Sequence, residues 1–125
     1  MSKAHVLIVD DDRNLLESIK RSMKDADFEL SLALDAYNAL ALATKNQPDV
    51  LVLDINMPAG GGFSVQERLN TMDLSHIPVI YITGEQSRRV ELETEKLNAF
   101  AVIHKPFKIE KLVATIREAL SMASA

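Results

Sequence analysis

Val6-Leu7-Ile8-Val9-Asp10-Asp11-Asp12 sets four apolar residues, without alternation, directly against three carboxylates. A short, unalternating run of Val, Ile and Leu fits a strand buried on both faces, as in a parallel sheet covered by helices. Val50–Leu53, Val79–Ile82 and Ala101–Ile103 repeat the pattern. Short buried helix segments give the same periodicity, but the run lengths and the flanking Pro48, Pro78 and Pro106 favour strands. Phe28–Ala33 differs. Phe28, Leu30 and Leu32 alternate with Glu29 and Ser31, the half-buried pattern of an edge strand.

Helical patterns lie between these runs. Leu15, Leu16, Ile19 and Met23 share one face of a first helix, and Leu112, Val113, Ile116 and Leu120 share one face of the last. Ala36–Lys45 is rich in Ala and Leu, both strong helix formers. Phe63–Leu69 opens a third helix after a glycine-rich loop, and Gln86–Leu97 is a charged fourth. A strand-helix unit repeated five times implies an α/β fold with a parallel five-stranded sheet and right-handed crossovers. With the amphipathic strand at an edge, the expected order is 2-1-3-4-5, a flavodoxin-like (βα)5 three-layer sandwich.

The bulk numbers fit. The 125 residues are enough for one hydrophobic core, and 47% are apolar. A formal charge of −4 with no basic run makes direct nucleic-acid binding a poor fit. The absence of cysteine excludes disulfides and thiolate chemistry, and three scattered histidines make no metal cluster. No apolar run is long enough to span a membrane. The acidic run at Asp10 comes too early for a signal peptide. The expectation is a single cytoplasmic domain over residues 1–125, frayed from Ser121 to Ala125.

In an open α/β sheet, ligands bind beyond the carboxyl ends of the strands, at the switch point between strands one and three. Asp10, Asp11 and Asp12 follow strand one, Asp54 follows strand three, Thr83 strand four, and His104, Lys105 and Pro106 strand five. Singly, these have ordinary readings. Capping a helix explains Asp10 and Asp11 about as well as binding a metal does, Asp54 alone suits a turn, and a lone lysine is most often a solvated surface residue. Asp12 suits the helix cap, and His104 reads as a surface or structural residue. Together, the carboxylates repel one another unless a hard cation such as Mg²⁺ joins them. The set then has the parts of a phosphoryl-transfer centre, with Asp54 as nucleophile.

The stretches Val6–Asp12 and Asp54-Ile55-Asn56-Met57-Pro58, with Thr83 and Lys105-Pro106-Phe107, resemble the receiver domain of bacterial two-component response regulators, in order and at matching spacing. The resemblance implies that Asp54 accepts a phosphoryl group from a sensor histidine kinase or histidine phosphotransfer protein. It implies Mg²⁺ on Asp10, Asp11, Asp54 and the backbone carbonyl of Asn56. It assigns Thr83 as the switch hydroxyl, Lys105 as the phosphate-binding lysine, and a cis Lys105–Pro106 bond. The phosphorylated form would act on a downstream protein or output domain, or on a second copy through the face of the fourth helix, fifth strand and fifth helix. The only chemistry implied is self-phosphorylation and autodephosphorylation. Asn56 and Glu85, each two residues past Asp54 and Thr83, occupy positions that flank the attacking water, which implies fast loss of the phosphoryl group.

The chain departs from the family pattern in places. Val102 stands where many receivers have an aromatic switch residue, and Phe100 is a different position. Ala59-Gly60-Gly61-Gly62 replaces a loop that often carries Asp, and Gly84 follows Thr83 where Ala is common. Two other readings remain. One is an aspartyl-phosphate phosphatase of the haloacid-dehalogenase type, which would want Asp at the position of Asn56. The other is a receiver that only docks, without phosphorylation.

Overall fold

The computed structural model describes residues 3–57, 61–72, 74, 76–85 and 87–123, without the side chains of 61–64 and 123. Five strands, β1 (Ala4–Val9), β2 (Phe28–Ala33), β3 (Val50–Asp54), β4 (Val79–Thr83) and β5 (Ala101–His104), alternate with five helices. These are α1 (Arg13–Ser22), α2 (Ala36–Lys45), α3 (Gly61–Thr71), α4 (Arg88–Lys96) and α5 (Ile109–Ala123). The strands are all parallel, in the expected order β2-β1-β3-β4-β5.

Alternate side chains of each strand point to opposite faces, and each face has its own core. Val6, Ile8, Val50, Val52, Ile80 and Ile82 pack with Leu16 and Ile19 of α1 and Leu112 and Ile116 of α5. Leu7, Val9, Leu51, Leu53, Val79 and Tyr81 pack with Ala39 of α2, Val65 and Leu69 of α3, and Val90 of α4. The two central strands β3 and β4 are buried along their whole length, which is why their sequences do not alternate. The edge strand β2 keeps Glu29 exposed and Leu30 and Leu32 half-buried.

Helix starts follow side-chain capping. Asp12 accepts from the Leu15 N–H, Asp35 from the Asn38 N–H and Ser87 from the Val90 N–H. Asp12 thus has the capping role expected of it. Several boundaries differ from the sequence reading: β1 starts two residues earlier, at Ala4, β3, β4 and β5 each run one residue further, to Asp54, Thr83 and His104, and the fourth helix ends at Lys96. The third helix starts at Gly61, so Gly61 and Gly62 are helical rather than loop, while Pro58, Ala59 and Gly60 lie outside the described residues. The fourth helix starts at Arg88, because Ser87 caps it, and Gln86 lies outside the described residues. The last helix continues through Ser121 and Met122 to Ala123, and Ser124 and Ala125 lie outside the described residues. No helix among the described residues is long and apolar enough to cross a membrane.

Leu51 is fully buried on β3, between β1 and β4. Leu51→Ala is expected to destabilise the fold by about 2–5 kcal/mol, through lost transfer energy plus the cavity left behind. Urea denaturation measures this, and a loss below about 1 kcal/mol would mean that the central layer is not packed as described.

Candidate functional site

Parallel register fixes the site. Val9 pairs with Leu53, Asp54 with Ile82 and Thr83 with His104, so neighbouring strands end within one residue of each other at the carboxyl edge of the sheet. Three backbone bonds carry the ladder one step further. The Asp10 N–H donates to the Ala33 carbonyl at 3.1 Å, the Ile55 N–H to Ile82 at 3.0 Å and the Lys105 N–H to Thr83 at 2.7 Å. The backbone carrying each key side chain is therefore held by a neighbouring strand rather than by a free loop. The Lys105–Pro106 bond is cis, as the resemblance implied.

Asp10, Asp11 and Asp54 each place a carboxylate oxygen within 4.8 Å of the others. Asp10 and Asp54 are buried, and Asp11 is exposed. Lys105 Nζ lies 2.9 Å from Asp10 Oδ2 and 3.6 Å from Asp54 Oδ2. The other oxygens are held locally. Asp10 Oδ1 accepts from the Asp12 N–H and Asp54 Oδ1 from the Asn56 N–H, at 2.9 and 3.2 Å.

One ammonium cannot neutralise three carboxylates, and the titration behaviour reflects this. Asp54 is pushed from an ordinary 3.8 up to about 6, first by burial and then by the charge of Asp10; the Asn56 N–H and Lys105 pull it back only in part. For Lys105, burial works against the charge, but the hydrogen bond and charge of Asp10, with the charge of Asp54, outweigh it and raise its pKa. The donor set is entirely carboxylate oxygen, two groups buried and one open to solvent. That suits a hard divalent cation that keeps part of its water shell, so the cluster could hold a metal ion.

Thr83 joins the site through Asn56. Asn56 Nδ2 donates to Thr83 Oγ1 at 3.4 Å, and the same oxygen accepts from the Glu85 N–H at 2.9 Å. Glu85 behaves differently from Asn56. Its carboxylate accepts from the Ser87 hydroxyl and from Arg89 Nη2, which together hold its pKa below the usual range, the Ser87 bond first. Glu85 is thus tied to the first turn of α4 rather than standing free beside Asn56. This link was not read from the sequence, although Ser87 before the apolar Val90 is a recognisable cap signal.

Val102 packs on the core that includes Val90, whereas Phe100 packs on the opposite core, so Phe100 does not replace the missing aromatic. Ser87, Val90, Glu91, Thr94, Val102 and His104 line a cleft of about 230 Å³ between α4 and β5.

Residues 6–117 match the response regulator receiver domain family. Transcriptional regulatory protein PrrA of Mycobacterium tuberculosis is 37% identical over 120 residues, which is 96% of this chain and 51% of that protein. Response regulator MprA of Mycobacterium leprae is 34% identical over 115 residues, covering 92% of this chain and 50% of the relative. The chain therefore spans about half the length of these curated relatives. Among solved structures, chemotaxis protein CheY4 of Vibrio cholerae aligns with a TM-score of 0.88 at 31% identity, over 95% of this chain and 100% of that one. A CheY-like receiver domain protein of Methanospirillum hungatei aligns with a TM-score of 0.91 at 27% identity, over 98% of each chain.

The raised Asp54 has a consequence for stability. Its folded value of about 6 lies above the ordinary 3.8, so ionising it costs the fold. That cost is absent below 3.8, grows as the pH rises and is complete above about 6. In metal-free protein, Asp54→Asn is expected to raise stability at about pH 8 by ~1–3 kcal/mol, with the gain shrinking toward pH 4. Urea denaturation across this pH range checks it, and equal stabilities at the alkaline end would contradict the assignment.

Proposed function

Because the chain belongs to the response regulator receiver domain family, we propose that Asp54 is its phosphoryl acceptor and that the phosphorylated form switches a partner-binding surface. The observation that carries the reading is the convergence of Asp54 with Asp10, Asp11 and Lys105 at the switch point of the sheet.

The donor is a phospho-histidine of a sensor kinase or phosphotransfer protein. An Asp54 oxygen attacks the phosphorus, the P–N bond breaks as the P–O bond forms, and the imidazole leaves with the bonding pair and takes up a proton. Asp10, Asp11, Asp54 and the Asn56 carbonyl would hold Mg²⁺, whose charge offsets that of the phosphoryl oxygens. Lys105 Nζ already lies 3.6 Å from Asp54, close enough to exchange its carboxylate partners for a phosphoryl oxygen. Thr83 Oγ1 donates to another. Burial of Asp54 excludes bulk water from the nucleophile.

The new charge of about −1.5 to −2 draws the buried Thr83 hydroxyl toward the phosphoryl group. Thr83 then leaves the Glu85 N–H, which loosens the Glu85–Ser87–Arg89 tie to α4. This route reaches α4 without an aromatic at Val102. Relatives named as transcriptional regulators are about twice as long as this chain, which supports an output unit as the reader. A downstream protein, or a second copy on the α4-β5-α5 face, is the other form such a reader can take. A cytoplasmic setting follows from the kinase partner. Asn56 in place of a second aspartate weighs against the phosphatase reading, and retention of the whole acidic set weighs against a receiver that only docks.

With a small acyl phosphate and Mg²⁺, intact mass is expected to gain one phosphoryl group, and Asp54→Asn none. An adduct persisting in Asp54→Asn, or sustained turnover of an external phosphate ester, would overturn the reading. Asn56 stands beside Thr83 while Glu85 is tied to α4, so Asn56→Ala is expected to lengthen the lifetime of the phosphorylated form several-fold and Glu85→Ala less. A larger effect at Glu85 would contradict that order.

A further inference from the structure

α1 leads from the acidic cluster back toward the amino edge of the sheet, and its last turn carries Lys20 and Arg21. Lys24 follows in the next turn. All three are exposed, and among the described residues none forms an ion pair with a carboxylate. They border a cleft of about 600 Å³ between α1 and β2, whose apolar wall is Met23, Leu30 and Leu32. Met23 is buried and the two leucines are half-buried. Among the described residues, Glu17 is the one acidic residue in the lining.

Three cations around an apolar wall stand out on a chain with a formal charge of −4. Placing Lys20 and Arg21 at a helix C-terminus also suits the helix dipole, but that explains neither Lys24 nor the leucines left half-covered beside them. β2 adds a third property. It is the terminal strand of the sheet, paired only with β1, so its outer edge has backbone groups available for an added strand.

We propose that this cleft docks an acidic, amphipathic protein segment in extended form. The segment runs along the β2 edge, and every second side chain, the set on the α1 face of the sheet, supplies both apolar groups for Leu30 and Leu32 and carboxylates for Lys20, Arg21 and Lys24. The wall chemistry favours a peptide over other polyanions. Among the described residues it has no aromatic on which a nucleic-acid base could stack. Its apolar groups are buried or half-buried, where a lipid surface would need them to protrude. Docking here leaves Asp54 free, because the last turn of α1 and the acidic cluster lie toward opposite edges of the sheet.

The test uses the full chain and a fluorescein-labelled short peptide that carries Leu and Glu in turn at every second position with Thr between them, and oligoglutamate as the charge-only control. Saturable binding is expected that weakens with added salt and exceeds that of the control. Lys20→Glu, Arg21→Glu and Lys24→Glu together should weaken it about tenfold or more, with circular dichroism unchanged. Amide shifts should cluster at Met23, Leu30 and Leu32. Leu30→Asn serves as a second variant that keeps the charge and should also lose affinity. Absence of saturable binding, equal binding by the triple-charge variant, shifts centred on another cleft, or binding of anionic vesicles or single-stranded DNA without the peptide would each overturn the proposal.

Discussion

Three carboxylates and one ammonium share a space in which their oxygens approach within 4.8 Å. The carboxylates would separate if they sat on free loops. Asp10 and Asp54 cannot, because Asp54 is paired within the sheet and the Asp10 N–H is bonded to β2, while the Lys105 N–H is bonded to β4. The fold therefore holds an arrangement that is itself unfavourable, and burial first, with the charge of Asp10 second, raises the pKa of Asp54. A site of this kind has two ways to lower its energy: protons, or a cation with a compensating ligand. The first is available below neutrality, and for the second the acidic cluster could hold a metal ion.

The same edge of the sheet connects to the rest of the molecule through polar side chains rather than through bulk. Asn56 reaches Thr83, Thr83 receives the Glu85 N–H, and the Glu85 carboxylate holds Ser87 and Arg89 at the start of α4. Each bond is modest, of the order of 1 kcal/mol. In series they still couple the position of one hydroxyl to the N-cap of a helix. Val102 is too small to relay motion by rotating inward, and a cleft stands beside it between α4 and β5. A hydrogen-bonded route suits a β5 position without a large ring.

The sheet was legible because burial on both faces leaves an unambiguous run of Val, Ile and Leu; β2 and α2 begin and end where the sequence reading put them. The carboxyl-edge rule then brought Asp10, Asp54, Thr83 and Lys105 together from strand order alone. Helix starts were less legible. Two glycines read as loop at Gly61 and Gly62 because their intrinsic preference opposes helix, and packing of Val65 and Leu69 overrides it. The role of Glu85 was hidden for a different reason. Its sequence spacing suggests a partner of Asn56, but side-chain direction depends on Ser87 and Arg89. The α1–β2 cleft also needs the fold, since its cations and leucines come from separate elements.

The most direct measurement is where the phosphoryl group goes. After incubation with a phospho-histidine donor and Mg²⁺, borohydride reduction converts an aspartyl phosphate to homoserine, and peptide mass mapping locates it. Homoserine at position 54 alone is the predicted result. Homoserine at Asp10 or Asp11, or no conversion under conditions where the donor loses its phosphoryl group to this chain, would contradict the account.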